Sequence, residues 1–478
     1  MDKKEAASAR MMKQMCREIV EVLLICLVWG CGGSVAAQDA TVAADSDLSA
    51  SPARGLDVTI DIANVMDNVG LPIDGQPLFT GLPCQVTADC PAPASCGFAV
   101  CLAGACTMTS ALDVGWSFLP YRVAASANRL TAAGPELANE GAVVPGKTKW
   151  RSWDLAGKLV AASEFNFEVL CLEMIGEVSV ILGRPSVTES PAVLMRLLSG
   201  NGTTIATSVL SADLADKPAY HLHFCRTTSS GDVVVSLTNS DENTQGTDVP
   251  STVSAAGTLE VIALPPDAYR DIERVGAWWC GSTYTQALGA IVRCQNTQDG
   301  ATTQFNAQNH YPDRLIASSA TNETIALLSQ DRQPGEGQPI RYRYSVFGLL
   351  GTLLSTEVYD FAAFISFDIQ DLAVSGNRRL ALFKGLVPPA GWKPDYPLFS
   401  LYDTLALQFD ASGKLLGTIY QDKASPKVVG VINFPCWTTH AFAADVAGAC
   451  GYIAEQRRVT NVDGQLHIEN RIHIAPLL

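Results

Sequence analysis

The chain is expected to be mainly β: a propeller-like array of four-stranded repeats preceded by a small disulfide-rich module. Three observations carry that expectation. From residue 108 onward, runs rich in Val, Ile, Leu and aromatic residues alternate with Gly/Asn/Asp/Ser turn signals. Short patterns recur across that region at intervals matching one repeat unit. A dense cysteine cluster stands before it, at 84–106. Two β-sandwich domains are the alternative arrangement of the same strands.

Residues 1–37 read as a signal peptide. Lys13 and Arg17 supply the basic start, and residues 22–29, VLLICLVW, supply the apolar run. That run is well short of the roughly 20 residues a membrane-spanning helix needs. Its basic flank and two cleavage-like sites favour a signal over a buried strand. The polar stretch before Met11 places the start of translation at Met11, Met12 or Met15. Val35-Ala36-Ala37 is an ordinary cleavage site after residue 37. Val28-Trp29-Gly30-Cys31, followed by Gly-Gly-Ser, resembles a bacterial lipobox, although Trp29 stands where a small residue is usual. The resemblance implies cleavage before Cys31 and a lipid on its sulfur.

Composition narrows the function classes. A chain of 478 residues that is 47% hydrophobic and 17% charged can bury a large core. The net charge is −15, with no basic cluster after the signal, so nucleic acid is not an expected partner. No P-loop, Gly-x-Ser-x-Gly elbow, His-Glu-x-x-His or EF-hand loop occurs, and no cofactor, metal or catalytic residue is assigned.

Residues 38–55, rich in Ala, Ser and Asp, form a flexible tether. Residues 56–83 hold one short strand, LDVTIDI at 56–62, and a loop. The cluster CQVTADCPAPASCGFAVCLAGAC then contributes Cys84, Cys90, Cys96, Cys101 and Cys106. It resembles the short Dickkopf-N-like or EGF-like cysteine-rich modules of secreted proteins, and this implies a disulfide knot outside the cytoplasm. A zinc site is the rival reading of the spacing. With five cysteines the module is one short of three bridges, and its sixth partner is Cys31 or a later cysteine. Downstream stand Cys171, Cys225, Cys280, Cys294, Cys436 and Cys450. Three pairs suit a β scaffold: Cys171 with Cys225, Cys280 with Cys294, and Cys436 with Cys450. Eleven cysteines beyond Cys31 leave at least one unpaired within the chain.

The repeat domain spans 108–478. Trp153-x3-Gly157-x-Leu159-Val160 recurs as Phe347-x3-Gly351-x-Leu353-Leu354 and as Phe409-x3-Gly413-x-Leu415-Leu416. Looser copies place turn glycines at 202, 257, 300 and 464. A second pattern, Asn322-x2-Ile325-Ala326-Leu327, returns as Asn377-x2-Leu380-Ala381-Leu382 and loosely at Asp232. Further hairpin turns are read at 199–202, 229–232, 410–413 and 462–464. One short helix is entertained at 269–277.

Several side chains invite chemistry, each against a blander alternative. His221 and His223 share a strand face with Cys225 and could ligate a metal, but read better as surface histidines beside a disulfide. His467 and His473 raise the same question. Trp278-Trp279 could form a sugar platform, but packing against a disulfide fits better. Asp360, Asp368 and Asp371 could include a glycosidase pair, or simply lie at strand ends. The expected protein is therefore a membrane-anchored cell-envelope binding protein with an envelope protein or glycan as partner. The alternative is a secreted polysaccharide-acting hydrolase or lyase on a propeller scaffold. Carboxylates converging in one deep pocket would distinguish the two.

Overall fold

A computed structural model describes residues 57–58, 78–85, 89–90, 96–102, 104–115, 117–138, 143–185, 193–210, 220–239, 248–285, 288–307, 310, 314–319, 324–330, 341–360, 366–375, 377–386, 402–422, 440–460 and 466–477. Cys31, Cys436, Gly464 and the turn at 462–464 lie outside them. Among the described residues, strands form seven antiparallel sheets, each built on a four-stranded meander. The first strands of these blades are Arg122–Ala125, Phe167–Ile175, Tyr220–Thr227, Asp271–Val275, Arg314–Ser319, Ser366–Ser375 and His440–Ala447. The blades are numbered 1 to 7 in that order.

Six blades are continuous in sequence. Blade 7 is closed from the other end of the repeat region: its fourth strand is Ala111–Asp113, which pairs antiparallel with Leu466–Pro476 through Arg471 opposite Asp113 and His473 opposite Ala111. This is a seven-bladed propeller whose ring is shut by an N-terminal strand. Asp57–Val58 adds a short parallel strand to the outer edge of blade 5. The segment 269–277, entertained as a helix, instead carries the first strand of blade 4. Its Asp-Ile-Glu-Arg-Val run has the β-branched alternation of a strand, and Gly276-Ala277 turns the chain into the next one.

The apolar interior is divided among the seams. Seven hydrophobic clusters each fill the gap between two neighbouring blades, from Trp150, Phe165, Phe167 and Ile181 between blades 1 and 2 to Tyr452, Ile472, Leu130 and Trp153 between blades 7 and 1. Each sheet buries both faces against its neighbours, which is why its central strands read as near-continuous apolar runs.

The recurrent motif ends the third strand of a blade and turns into the fourth. Trp153, Phe347 and Phe409 are buried in seams, whereas Leu159, Val160, Leu353 and Leu354 are exposed on outer strands. The motif glycine serves two constraints. Gly351 and Gly413 sit at φ +86° and +91°, where an L side chain is strained. A Cβ on Gly413 would also lie 2.1 Å from Tyr344 Cδ1 of blade 5, and one on Gly351 would lie 2.5 Å from Phe305 Cβ of blade 4. The turn of one blade is thus pressed onto the third or fourth strand of the blade before it.

The cysteine-rich segment forms its own three-stranded sheet from Leu78–Pro83, Ala105–Thr109 and Phe98–Leu102. Cys84 is bonded to Cys101 and Cys90 to Cys106. The sulfurs of Cys84, Cys90 and Cys106 lie within 4.8 Å of one another, but all three are spent in disulfides. The fifth cysteine, Cys96, bonds Cys450 at the start of the second strand of blade 7. The expected Cys436–Cys450 pair is therefore wrong. Cys450 faces the module because the closing strand brings residues 96–113 back onto blade 7. Cys171–Cys225 and Cys280–Cys294 are bonded; the latter lie directly opposite each other on neighbouring strands of blade 4.

Candidate functional site

The first strands of blades 1, 2, 3, 4, 6 and 7 line a central cavity of about 470 Å³. Its wall carries Glu173 from blade 2, Asp271 from blade 4, Asp371 from blade 6 and Asp445 from blade 7, with Arg122, His223 and Arg226 among them. Several of these strands are locally bulged. Register slips occur between Val169 and Cys171, Leu222 and Phe224, Ile369 and Asp371, and Ala441 and Ala443. A bulge re-aims the side chains that follow it, and here those side chains reach across seams.

The charged groups are used circumferentially. Asp445 accepts Val446 N–H at 2.7 Å and, from blade 1, Ala125 N–H at 2.5 Å. Asp371 repeats the arrangement, accepting Leu372 N–H at 2.9 Å and, from blade 7, Ala444 N–H at 3.0 Å. Arg226 of blade 3 donates to Asp271 of blade 4 at 2.6 Å and to Glu273 of the same blade. Glu273 also accepts from Ser229 of blade 3, through its backbone N–H and its hydroxyl, both at 3.1 Å. Thr227 donates to Glu173 at 2.7 Å, beside the Cys171–Cys225 disulfide that joins the same two blades. Arg122 donates to Leu170 O at 3.1 Å between blades 1 and 2.

Sinking these groups into the ring changes their chemistry. Burial, reinforced by the Asp445 charge, pushes the Glu173 carboxyl up to about 8. Burial pushes Asp445 up to about 7 despite its two backbone N–H donors. For Arg226 burial works against the charge, but Asp271 and Glu273 outweigh it and raise the guanidinium further. Elsewhere, His310 is buried between Ser329 at 2.5 Å and Ser345 at 2.9 Å, and burial lowers it to about 3. It is held neutral within blade 5.

The residues singled out in sequence fare unevenly. His223 lines the cavity, and its Nδ1 lies 3.0 Å from Asp248, whose side chain is fully buried. Cys225, proposed to share a metal with it, is in a disulfide. His473 pairs with Glu455, and the side chains of His221 and His467 lie outside the described residues. Trp279 is buried between blades 3 and 4, and Trp278 packs against the cluster holding Cys280 and Cys294, so neither offers a platform. Asp371 reaches the cavity, while the side chains of Asp360 and Asp368 lie outside the described residues. Glu173, Arg226, Asp271, Glu273, Asp445 and Asp248 were missed. A third repeat carries a trace of three of them: Glu173-Met-Ile-Gly176, Glu273-Arg-Val-Gly276 and Asp445-Val-Ala-Gly448 each end a first strand with an acid, two residues and a turn glycine.

No protein-family model and no curated protein matches the chain. Among solved structures it is similar to the β-propeller domain of the Trilobed protease from Pyrococcus furiosus (11% identity, TM-score 0.35, covering 64% of this chain and 84% of that one). It is similar to an uncharacterized protein from Listeria monocytogenes (11%, 0.39, 74% and 93%). It is also similar to TolB from Acinetobacter baumannii (10%, 0.33, 60% and 62%).

Proposed function

We propose that the chain is an exported cell-envelope protein whose propeller binds a partner without transforming it. Carboxylates do converge on one cavity, as the hydrolase alternative requires, and the observation that favours binding over hydrolysis is how those acids are used. Asp371 and Asp445 each give both oxygens to backbone N–H groups of two blades, and Asp271 and Glu273 are held by Arg226. A glycoside hydrolase needs one carboxyl free to donate a proton and a second free to attack or to activate water. Glu173 could donate a proton, but the acids that would have to partner it stitch blades together and are poorly placed to attack or to activate water. They leave a polar cavity suited to a small glycan segment or a polar side chain of an envelope protein.

Export is supported by ten cysteines in five disulfides, which persist where the medium is oxidising. Anchoring through a lipid on Cys31 rests on the lipobox resemblance. Two measurements test the proposal. The intact mass of the mature protein should show a diacylglyceryl group on Cys31; a chain beginning at Gln38 overturns the anchor. Envelope glycan fragments incubated with the protein should raise its Tm without releasing reducing ends. Reducing-end release that disappears in Glu173→Gln would establish the hydrolase instead.

A further inference from the structure

We propose that the central cavity takes a uronic-acid sugar, with Arg122 gripping its carboxylate and His223 and Glu173 meeting its hydroxyl groups; this rests on the reading of the cavity as a glycan site. Two arginines line the cavity, and they are used differently. Arg226 is spent on Asp271 and Glu273. Arg122 gives only its Nε, to Leu170 O at 3.1 Å. Leu170 is the extra residue of the bulge between Val169 and Cys171, a position whose backbone a bulge leaves unpaired. The Arg122 guanidinium also lies over the Tyr121 ring, 5.2 Å from its centroid, which helps to hold it in place. Among the described residues neither Nη group has a hydrogen-bond or carboxylate partner. A planar fork of donors is therefore left at the cavity wall, and such a fork matches the two oxygens of a carboxylate.

The acids of the wall leave room for an anion. Asp371 and Asp445 each have both oxygens on backbone N–H groups. Burial pushes Glu173 up to about 8, so near pH 7 it keeps its proton. Its Oε2 accepts from Thr227 at 2.7 Å, and its Oε1 has no protein partner among the described residues, so the carboxyl can donate to a hydroxyl. His223 makes a similar offer from blade 3. Its Nδ1 lies 3.0 Å from Asp248, and its Nε2 has no partner among the described residues. A sugar hydroxyl both donates and accepts, so it suits either tautomer of the ring. A neutral hexose would leave the Arg122 fork unmatched. An Asp or Glu side chain of a protein would fill the fork but bring no hydroxyls to His223 and Glu173. A phosphate would carry a second negative charge toward Asp371 and Asp445. A uronate meets all three groups with a single charge.

The test is calorimetric titration of the full mature chain at pH 7 with glucuronate, galacturonate and mannuronate disaccharides, each beside its neutral counterpart. At least one uronate should bind ~10-fold or more tightly than its neutral counterpart, the scale of a hydrogen bond to a charged group. Arg122→Gln should lower the affinity for that uronate by a similar factor and leave the neutral sugar unchanged. Arg122→Lys keeps the charge without the fork and should fall between the two; it carries the comparison if Arg122→Gln loses the near-ultraviolet circular dichroism of the folded ring. Neutral sugars bound as tightly as every uronate overturn the inference and leave the glycan reading standing, and so does a variant that weakens both sugars alike. Binding of no sugar overturns the inference and the glycan reading together. N-acetylglutamate bound more tightly than every uronate overturns the sugar and makes the ligand a protein carboxylate.

Discussion

The hairpin end of the blades and the strands around the channel are built on opposite plans. At the hairpin end one solution is repeated. An aromatic or apolar residue closes the third strand, a glycine at positive φ turns the chain, and a side-chain oxygen caps the turn. Asp154 and Asp410 each accept two backbone N–H groups there. Around the channel nearly every seam has its own device: a disulfide and a Thr–Glu bond, an arginine fork, or a carboxylate reaching a neighbour's backbone. Repetition suffices where each blade meets the same surface of the blade before it. The centre is where all blades meet, and there individual side chains vary.

Blade 7 belongs to both plans and gives the largest expected effect. Cys96–Cys450 spans a sequence separation of 354. In the chain-entropy account, Cys96→Ala/Cys450→Ala should cost about 5 kcal/mol, read by denaturant unfolding. A loss under 1 kcal/mol would mean that the Ala111–Asp113 strand closes the ring unaided.

At the hairpin end, Gly413→Ala should cost roughly 3 kcal/mol, because left-handed strain and a clash with Tyr344 act together. Gly231→Ala, at φ +87° with nothing within 4 Å, should cost only about 1 kcal/mol. Equal costs would show that close approach between blades contributes nothing.

Two aspartates that each accept a pair of N–H groups compare the regions directly. Asp445→Ala should cost about 2 kcal/mol, since it strands donors inside the ring, whereas Asp154→Ala, at a partly exposed turn, should cost about 1 kcal/mol.

The smallest effect is pH dependence. Glu173 and Asp445 have folded values of about 8 and about 7, above their ordinary 4.5 and 3.8. The folded ring thus holds protons the unfolded chain releases. That contribution is complete below the ordinary carboxylate range and is lost as pH rises through the folded values. His310 works in reverse: its folded value of about 3 means stability is lost as pH falls from about 6.5 toward 3. Between about pH 6.5 and 8 the acids act alone, and Tm should fall as pH rises. Glu173→Gln should flatten that slope, and an unchanged slope would remove Glu173 as its source.

The hairpin end was legible because turn chemistry is local. Gly157, Gly351 and Gly413 announce themselves through residues within a few positions of each, as do the alternating strands beside them. The channel was not legible in the same way. Asp371 stands near Asp360 and Asp368 in sequence, yet its partner across the seam is the Ala444 backbone N–H. His223 is two residues from Cys225, yet its carboxylate partner is Asp248 on another strand. The acid-x-x-Gly endings at Glu173, Glu273 and Asp445 were the one local trace of the site.

By itself, then, the sequence determined strands, turns and a repeated blade, because backbone φ and side-chain alternation depend on neighbours along the chain. Tertiary structure alone decided that Cys450 meets Cys96, that an N-terminal strand completes the last blade, and that acids from four blades converge on one cavity. Those pairings join residues tens to hundreds of positions apart, and closing the ring is what brings them within bonding distance.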